Sequence, residues 1–204
     1  MHIELVDLLR CPRAHDETWL VAASDRMDGR EIVDGTLGCP VCEATYPIRG
    51  GAVYFVAATP TPVGGEPDDE QVMRAAAMLG LSEGGGVVVL AGAWGRYAVK
   101  LGELAEAHYL LVNPDGAVRG SVVYAAGVPV AAGSARAAAA SDAADLPAMV
   151  AAVRAGGRLV APAGAAVPDG VRELARDERN WVGEVVGPAP TPVLLMRKTG
   201  TALP

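Results

Sequence analysis

Val87-Val88-Val89-Leu90-Ala91-Gly92-Ala93-Trp94-Gly95-Arg96-Tyr97 is the stretch that decides the fold. Its first four residues form a continuous apolar run, the pattern of a strand buried on both faces of a parallel sheet. Gly92 and Gly95 then mark a turn, and Gly95 to Ala107 reads as helical. The same alternation recurs on either side. Upstream, Asp68 to Leu81 has helical spacing with an acidic start, and Gly84-Gly85-Gly86 breaks it. Downstream, Tyr109 to Val112, Ser121 to Tyr124 and Arg136 to Ala140 read as strands. Leu146 to Ala155 reads as a helix closed by Gly156-Gly157, and Arg158 to Ala161 returns as a strand. Val171 to Arg176 is expected to be helical, and Trp181 to Val186 with Val193 to Arg197 to form a closing hairpin. Strand and helix in alternation predict an α/β fold, a doubly wound, Rossmann-like sandwich. It is a trimmed one, because Asn113 to Gly120 leaves little room for a helix between two strands.

The composition changes near residue 57. All three cysteines precede it, among short strand-like segments at Trp19 to Ala22, Glu31 to Val33, Gly35 to Leu37 and Ala52 to Val56. Ile3 to Leu9 alternates apolar and acidic residues and reads as a short helix leading into Cys11. The expected organisation is a small module over 1–57, a Pro/Gly-rich linker over 58–67, the α/β domain over 68–198 and a tail over 199–204. Small strands without a large core need a metal or a docked neighbour for stability.

Cys11, His15, Cys39 and Cys42 are the candidate metal ligands. Cys39-Pro40-Val41-Cys42 is a turn that brings two sulfurs to one ion, and zinc favours a tetrahedral set of thiolates and imidazole. In the first half, Ala14 stands three residues after Cys11, so His15 supplies the fourth ligand from one residue further on. Two other readings stand beside a structural zinc: a metal-free ribbon with ordinary buried thiols, and a redox Cys-x2-Cys pair. The redox pair normally opens a helix, whereas Tyr46-Pro47-Ile48 continues as an extended segment.

Half of the chain is apolar but only 4% is aromatic, so the interior must be built from Ala, Val and Leu. The net charge of -7 argues against a nucleic-acid backbone as partner, since phosphate binding needs clustered Lys and Arg. Gly120 to Ala135 is an uncharged stretch of 16 residues interrupted by Gly127, Pro129 and Gly133, short of the roughly 20 apolar residues that span a bilayer. No basic-then-apolar leader opens the sequence. An odd number of cysteines suits a reducing compartment, so the expected location is cytoplasmic, with peripheral membrane attachment only through a partner.

Both halves carry a family resemblance. Leu8-Leu9-Arg10-Cys11-Pro12, Gly35-Thr36-Leu37-Gly38-Cys39-Pro40-Val41-Cys42 and Tyr46-Pro47-Ile48-Arg49-Gly50-Gly51 resemble the Trm112-like zinc ribbon family. The resemblance implies a small structural-zinc module that binds and stabilises methyltransferases or is fused ahead of a methyltransferase domain. The rest resembles a class I S-adenosylmethionine-dependent methyltransferase. Residues 87–97 fall at that family's first motif, and Val153-Arg154-Ala155-Gly156-Gly157-Arg158-Leu159-Val160-Ala161-Pro162 is similar to its helix-turn-strand before the fifth strand. By resemblance, Gly92, Gly95 and Asn113 would meet the cofactor, Asn113 standing where a carboxylate would hold the ribose. Only Gly95 is in register: Val89 replaces the acidic residue, Ala91 and Ala93 replace glycines, and Trp94 replaces a small residue. Each change weakens a grip that depends on close backbone approach.

The remaining candidates have plainer readings. His108, after a helix, reads as a cap for its carbonyls and His2 as solvated; Asp68-Asp69-Glu70 is an N-cap, Asp115-Gly116 a turn, and Trp181 packs on a sheet face. The expectation is a non-catalytic interaction or scaffold subunit, a pseudoenzyme with a protein partner. The alternative is an active S-adenosylmethionine-dependent methyltransferase with an atypical cofactor loop.

Overall fold

A computed structural model of the chain describes residues 1–58, 65–116 and 120–187. The expected strand at Val193 to Arg197, the tail over 199–204 and most of the linker lie outside the described residues. Four strands come from the N-terminal part: β1 (Val21–Asp28), β2 (Glu31–Gly38), β3 (Thr45–Arg49) and β4 (Ala52–Tyr54), paired antiparallel in sequence order. Seven follow: β5 (Val87–Ala91), β6 (His108–Val112), β7 (Ser121–Tyr124), β8 (Ala135–Ala139), β9 (Val153–Pro162), β10 (Val171–Arg176) and β11 (Asn180–Val185). All join one sheet in the order β1-β2-β3-β4-β7-β6-β5-β8-β9-β11-β10.

From β4 to β9 every pairing is parallel, and antiparallel strands occupy both flanks. The winding reverses at β5, which has β6 on one side and β8 on the other. Open α/β sheets take ligands at such a reversal, beyond the carboxyl ends of the strands. The small module also meets the α/β part by backbone pairing: Ala52, Val53 and Tyr54 of β4 lie opposite Val122, Val123 and Tyr124 of β7.

Helices α1 (Ile3–Val6), α2 (Asp69–Leu79), α3 (Ala98–Leu104) and α4 (Leu146–Ala152) cover the two faces. The period-2 alternation of β5 sorts its side chains between them. Val88 and Leu90 face the layer with Val72, Ala75 and Leu79 of α2 and Leu101 of α3. Val89 and Ala91 face the layer holding Leu5 of α1 and Leu146 and Met149 of α4. This second core runs without a break from Leu37, Tyr46 and Ile48 through Leu110 and Val112 to Leu159 and Trp181. Between β6 and β7 the described residues contain no crossover helix, and Met1, Leu5, Val6 and Leu9 fill that core instead. Ala137 to Ala140 are fully buried, as the aromatic-poor composition requires. α2 has the expected N-cap, with Asp68 Oδ1 accepting from the Gln71 amide at 2.8 Å, and ends at Gly80 in the left-handed region.

Several expectations are corrected. Val171–Arg176 is a strand, not a helix: its helix formers Glu173, Leu174 and Ala175 are overridden by antiparallel pairing with β11, and Arg172 bonds Glu184 across the pair at 3.1 Å. Trp181 to Val185 therefore closes its hairpin backwards, onto β10. The helix expected to run to Ala155 stops at Ala152, and Gly156-Gly157 lies inside β9. There, the three residues Ala135 to Ala137 of β8 oppose the six residues Val153 to Arg158 of β9, a bulge. A Cβ on Gly157 would approach Arg136 O to 2.6 Å. The helix expected from Gly95 begins with a 3-10 segment over Gly92–Tyr97. Strand β1 starts later and runs longer than Trp19 to Ala22; it is exposed along its length, with irregular register around Arg26. Such irregularity with charged Asp25, Arg26 and Asp28 discourages pairing at an open sheet edge.

Candidate metal centre and switch-point cleft

The four predicted ligands converge. Cys11 follows the bridge of Arg10 with Trp19, while Cys39 and Cys42 occupy the turn from β2 to β3. That turn is closed by the Cys39 amide donating to Ala44 O at 2.9 Å and the Glu43 amide to Cys39 O at 3.0 Å. One donor atom from each of Cys11, His15, Cys39 and Cys42 lies within 4.8 Å of all the others. Cys11 Sγ and Cys42 Sγ are 3.7 Å apart, and Cys39 Sγ and His15 Nε2 are 3.4 Å apart. A tetrahedral zinc with bonds of about 2.3 Å to sulfur and about 2.0 Å to nitrogen puts such donors about 3.8 and 3.5 Å apart. The site fits a metal ion. His15 Nδ1 lies 2.6 Å from the Asp16 carbonyl oxygen, which can only accept, so Nδ1 carries a proton and Nε2 is the nitrogen turned to the thiols.

The electrostatics prepare thiolates. Burial resists ionisation of Cys11, but hydrogen bonds from the Tyr46 hydroxyl, the Arg13 backbone, His15 and Cys39 outweigh it and hold the thiol at about 6. Burial likewise opposes Cys39, and the Cys42 and Val41 amides bring it below its ordinary value. Cys42 receives a stabilising backbone bond at Ala44, yet burial and its two thiol neighbours leave it raised. His15 is raised by the Asp16 carbonyl and then by Cys11. Tyr46 is pushed up by burial and by Cys11, whose Sγ lies 3.2 Å from its hydroxyl. Sequence reasoning missed this role of Tyr46; its signal was an aromatic hydroxyl placed just past the Cys-x2-Cys turn. A cleft of about 400 Å³ adjoins the cluster, between Cys11, His15 and Glu17 and the 125–130 loop that follows β7.

The three residues assigned by resemblance lie near the switch point, each in contact with other parts of the protein. Gly92 has φ +59, and a Cβ built on it would lie 2.1 Å from Ser141 Oγ. That hydroxyl accepts from the Ala93 amide at 3.2 Å and donates to Ala91 O at 3.3 Å, tying the end of β5 to the segment after β8. Gly95 packs on Pro114, whose Cβ would be 2.7 Å from a side chain there. Asn113, in the left-handed region at φ 44, donates from Nδ2 to Ala125 O at 2.8 Å and accepts at Oδ1 from the Ala125 amide at 2.9 Å. Trp94 is buried against Tyr97, with ring centroids 5.3 Å apart.

Neither a protein-family profile nor a curated protein matches the sequence. Two solved structures are similar in part. One, provisionally assigned as a methyltransferase of an antibiotic biosynthesis pathway in Anabaena variabilis, shares 18% identity at a TM-score of 0.38, over 47% of this chain and 45% of that one. The other, provisionally assigned as an S-adenosyl-L-methionine-dependent methyltransferase of Methanococcus maripaludis, shares 7% identity at a TM-score of 0.42, over 59% of this chain and 85% of that one. The present chain thus spans less than half of the first.

Among the described residues no helix is long and apolar enough to cross a membrane. Two histidine readings are corrected. His2 is half-buried rather than solvated, its ring centroid 4.6 Å from that of His108. His108 caps no helix: it opens β6, four residues beyond the end of α3 at Leu104, and its Nε2 lies 3.0 Å from Glu4 Oε2.

Proposed function

We propose that this chain is a non-catalytic interaction or scaffold protein, in which a structural zinc ribbon extends a methyltransferase-like α/β sheet whose cofactor cleft is filled by its own residues. The observation that carries this reading is the Ser141 hydroxyl lodged against Gly92 at the switch point. It occupies the approach that a close-packed cofactor would need, while Asn113 spends both ends of its amide on Ala125. The residues present do not fit S-adenosylmethionine. The metal, held by four protein ligands, would keep no open position for a reacting water, so its role is to pin the ribbon. Support for a protein partner comes from Trp19, Val21 and Val41, large apolar side chains 65%, 58% and 58% exposed around the ribbon.

A thermal-shift titration with S-adenosylmethionine tests the reading. A ligand present at a hundred times its dissociation constant adds about 2.7 kcal/mol, which raises Tm by several degrees in a chain of this size. No shift is expected; a saturable rise would favour the active methyltransferase instead.

A further inference from the structure

We propose that His2, Glu4 and His108 form a second, solvent-open binding site for a divalent transition-metal ion, separate from the cysteine cluster. Three elements deliver the donors: the residue preceding α1, the first turn of α1 and the first position of β6. One donor atom from each lies within 4.8 Å of the other two. Metal bonds of about 2.1 Å meeting at a right angle place neighbouring donors about 3.0 Å apart, and His108 Nε2 and Glu4 Oε2 are 3.0 Å apart. The two imidazole rings lie beside each other, tilted by 40° with centroids 4.6 Å apart.

A plain surface ion pair between His108 and Glu4 would explain the 3.0 Å contact, but it does not explain His2. Its Nδ1 is buried and, among the described residues, has no hydrogen-bond partner. A core histidine kept for packing normally bonds its ring nitrogens, because an unpaired buried polar atom costs about 1–3 kcal/mol. The carboxylate also has outer support, since Glu4 Oε1 accepts from Arg30 Nη2, which fixes its orientation as second-layer partners of metal ligands do. Beside the triad opens a cleft of about 210 Å³ lined in part by His2, Glu31, His108 and Ser121.

Two imidazoles and one carboxylate with positions open to solvent suit zinc, iron(II) or cobalt(II), and the absence of sulfur makes the site harder than the cysteine cluster. The two lie at opposite ends of the strands. This one sits where β6 and β7 begin; the other adjoins the loop after β7 ends.

Cobalt(II) titration of the metal-free full chain separates the sites, because only thiolate ligation gives a sulfur-to-cobalt charge-transfer band in the near ultraviolet. The expected result is a further equivalent of cobalt that adds visible absorption without increasing that band. Glu4→Gln and His108→Gln should each remove this further equivalent and leave the charge-transfer band intact. Arg30→Ala should weaken it by about 10- to 100-fold. Circular dichroism checks that each variant is folded, and the exposed Glu4 carries the test if His108→Gln is not. Cobalt uptake that ends when the charge-transfer band saturates, or unchanged uptake in Glu4→Gln, would overturn the proposal.

Discussion

Ser141 Oγ occupies the space that a side chain on Gly92 would need, 2.1 Å from the position of its Cβ. Gly92 holds φ +59, a conformation that costs an L-residue roughly 1–2 kcal/mol before any clash. Gly92→Ala should therefore destabilise by more than that amount. Ser141→Ala forfeits only the bonds to Ala91 and Ala93 and should cost about 1 kcal/mol. The double variant should be more stable than the sum of the two, since removing the hydroxyl relieves the clash. Denaturant unfolding of the three proteins measures the coupling; strict additivity would mean that the two residues do not contend for one space.

Cys39 is buried and bonds both His15 and the Cys42 amide. Cys39→Ser should lose the ribbon zinc. Because the ribbon also shares β4–β7 pairing and a common core with the sheet, the chain should stay folded while Tm falls. A loss of about 3 kcal/mol corresponds to roughly 6–12 °C at this length. Metal analysis with thermal melting checks both parts, and a variant that keeps its zinc would remove Cys39 from the ligand set.

Cys11, held at about 6 in the absence of metal, is more than half thiolate at neutral pH. In chelator-stripped protein it should be alkylated by iodoacetamide faster than Cys42, whose thiol is raised. Labelling of Cys11 should rise through about pH 6 and be suppressed by zinc. Mass spectrometry of the labelled peptides distinguishes the thiols.

Arg74 on α2 and Asp177 in the β10–β11 turn form an ion pair, and Asp177 also accepts from the Arg179 and Asn180 amides at 2.8 and 2.9 Å. Arg74, then these amides, hold the Asp177 carboxyl well below its ordinary value. A depressed carboxylate contributes stability above its unfolded value and loses it as pH falls through the acid range. Both side chains are more than a third exposed, so solvent screening keeps the ion pair within about 1 kcal/mol. Asp177→Asn should lower Tm modestly at pH 7 and flatten the acid limb of stability against pH. An acid limb identical to that of the unaltered chain would show that the pair is not formed.

The central strands were legible because Val87–Ala91, Tyr109–Val112 and Val122–Tyr124 are runs without a charged side chain, and local composition suffices to mark a strand buried on both faces. Val171–Arg176 was not, because Glu173, Leu174 and Ala175 favour a helix in isolation and only pairing with β11 decides otherwise. Gly156-Gly157 reads alike as a helix stop and as a bulge, and which it is depends on β8. The four candidate ligands of the cysteine cluster were visible from spacing. Ser141 was not, since nothing near it in sequence announces contact with Gly92 across 49 positions. The His2–Glu4–His108 group joins the chain start to a strand a hundred residues later, which only the α1 packing reveals.

The most direct test of the central claim is isothermal titration of the zinc-loaded chain with S-adenosylmethionine. The account predicts no saturable heat, meaning affinity no better than about millimolar, or about -4 kcal/mol. A dissociation constant near micromolar, about -8 kcal/mol, would contradict it, because the contacts of Ser141 with Ala93 and of Asn113 with Ala125 would then have to give way to the ligand.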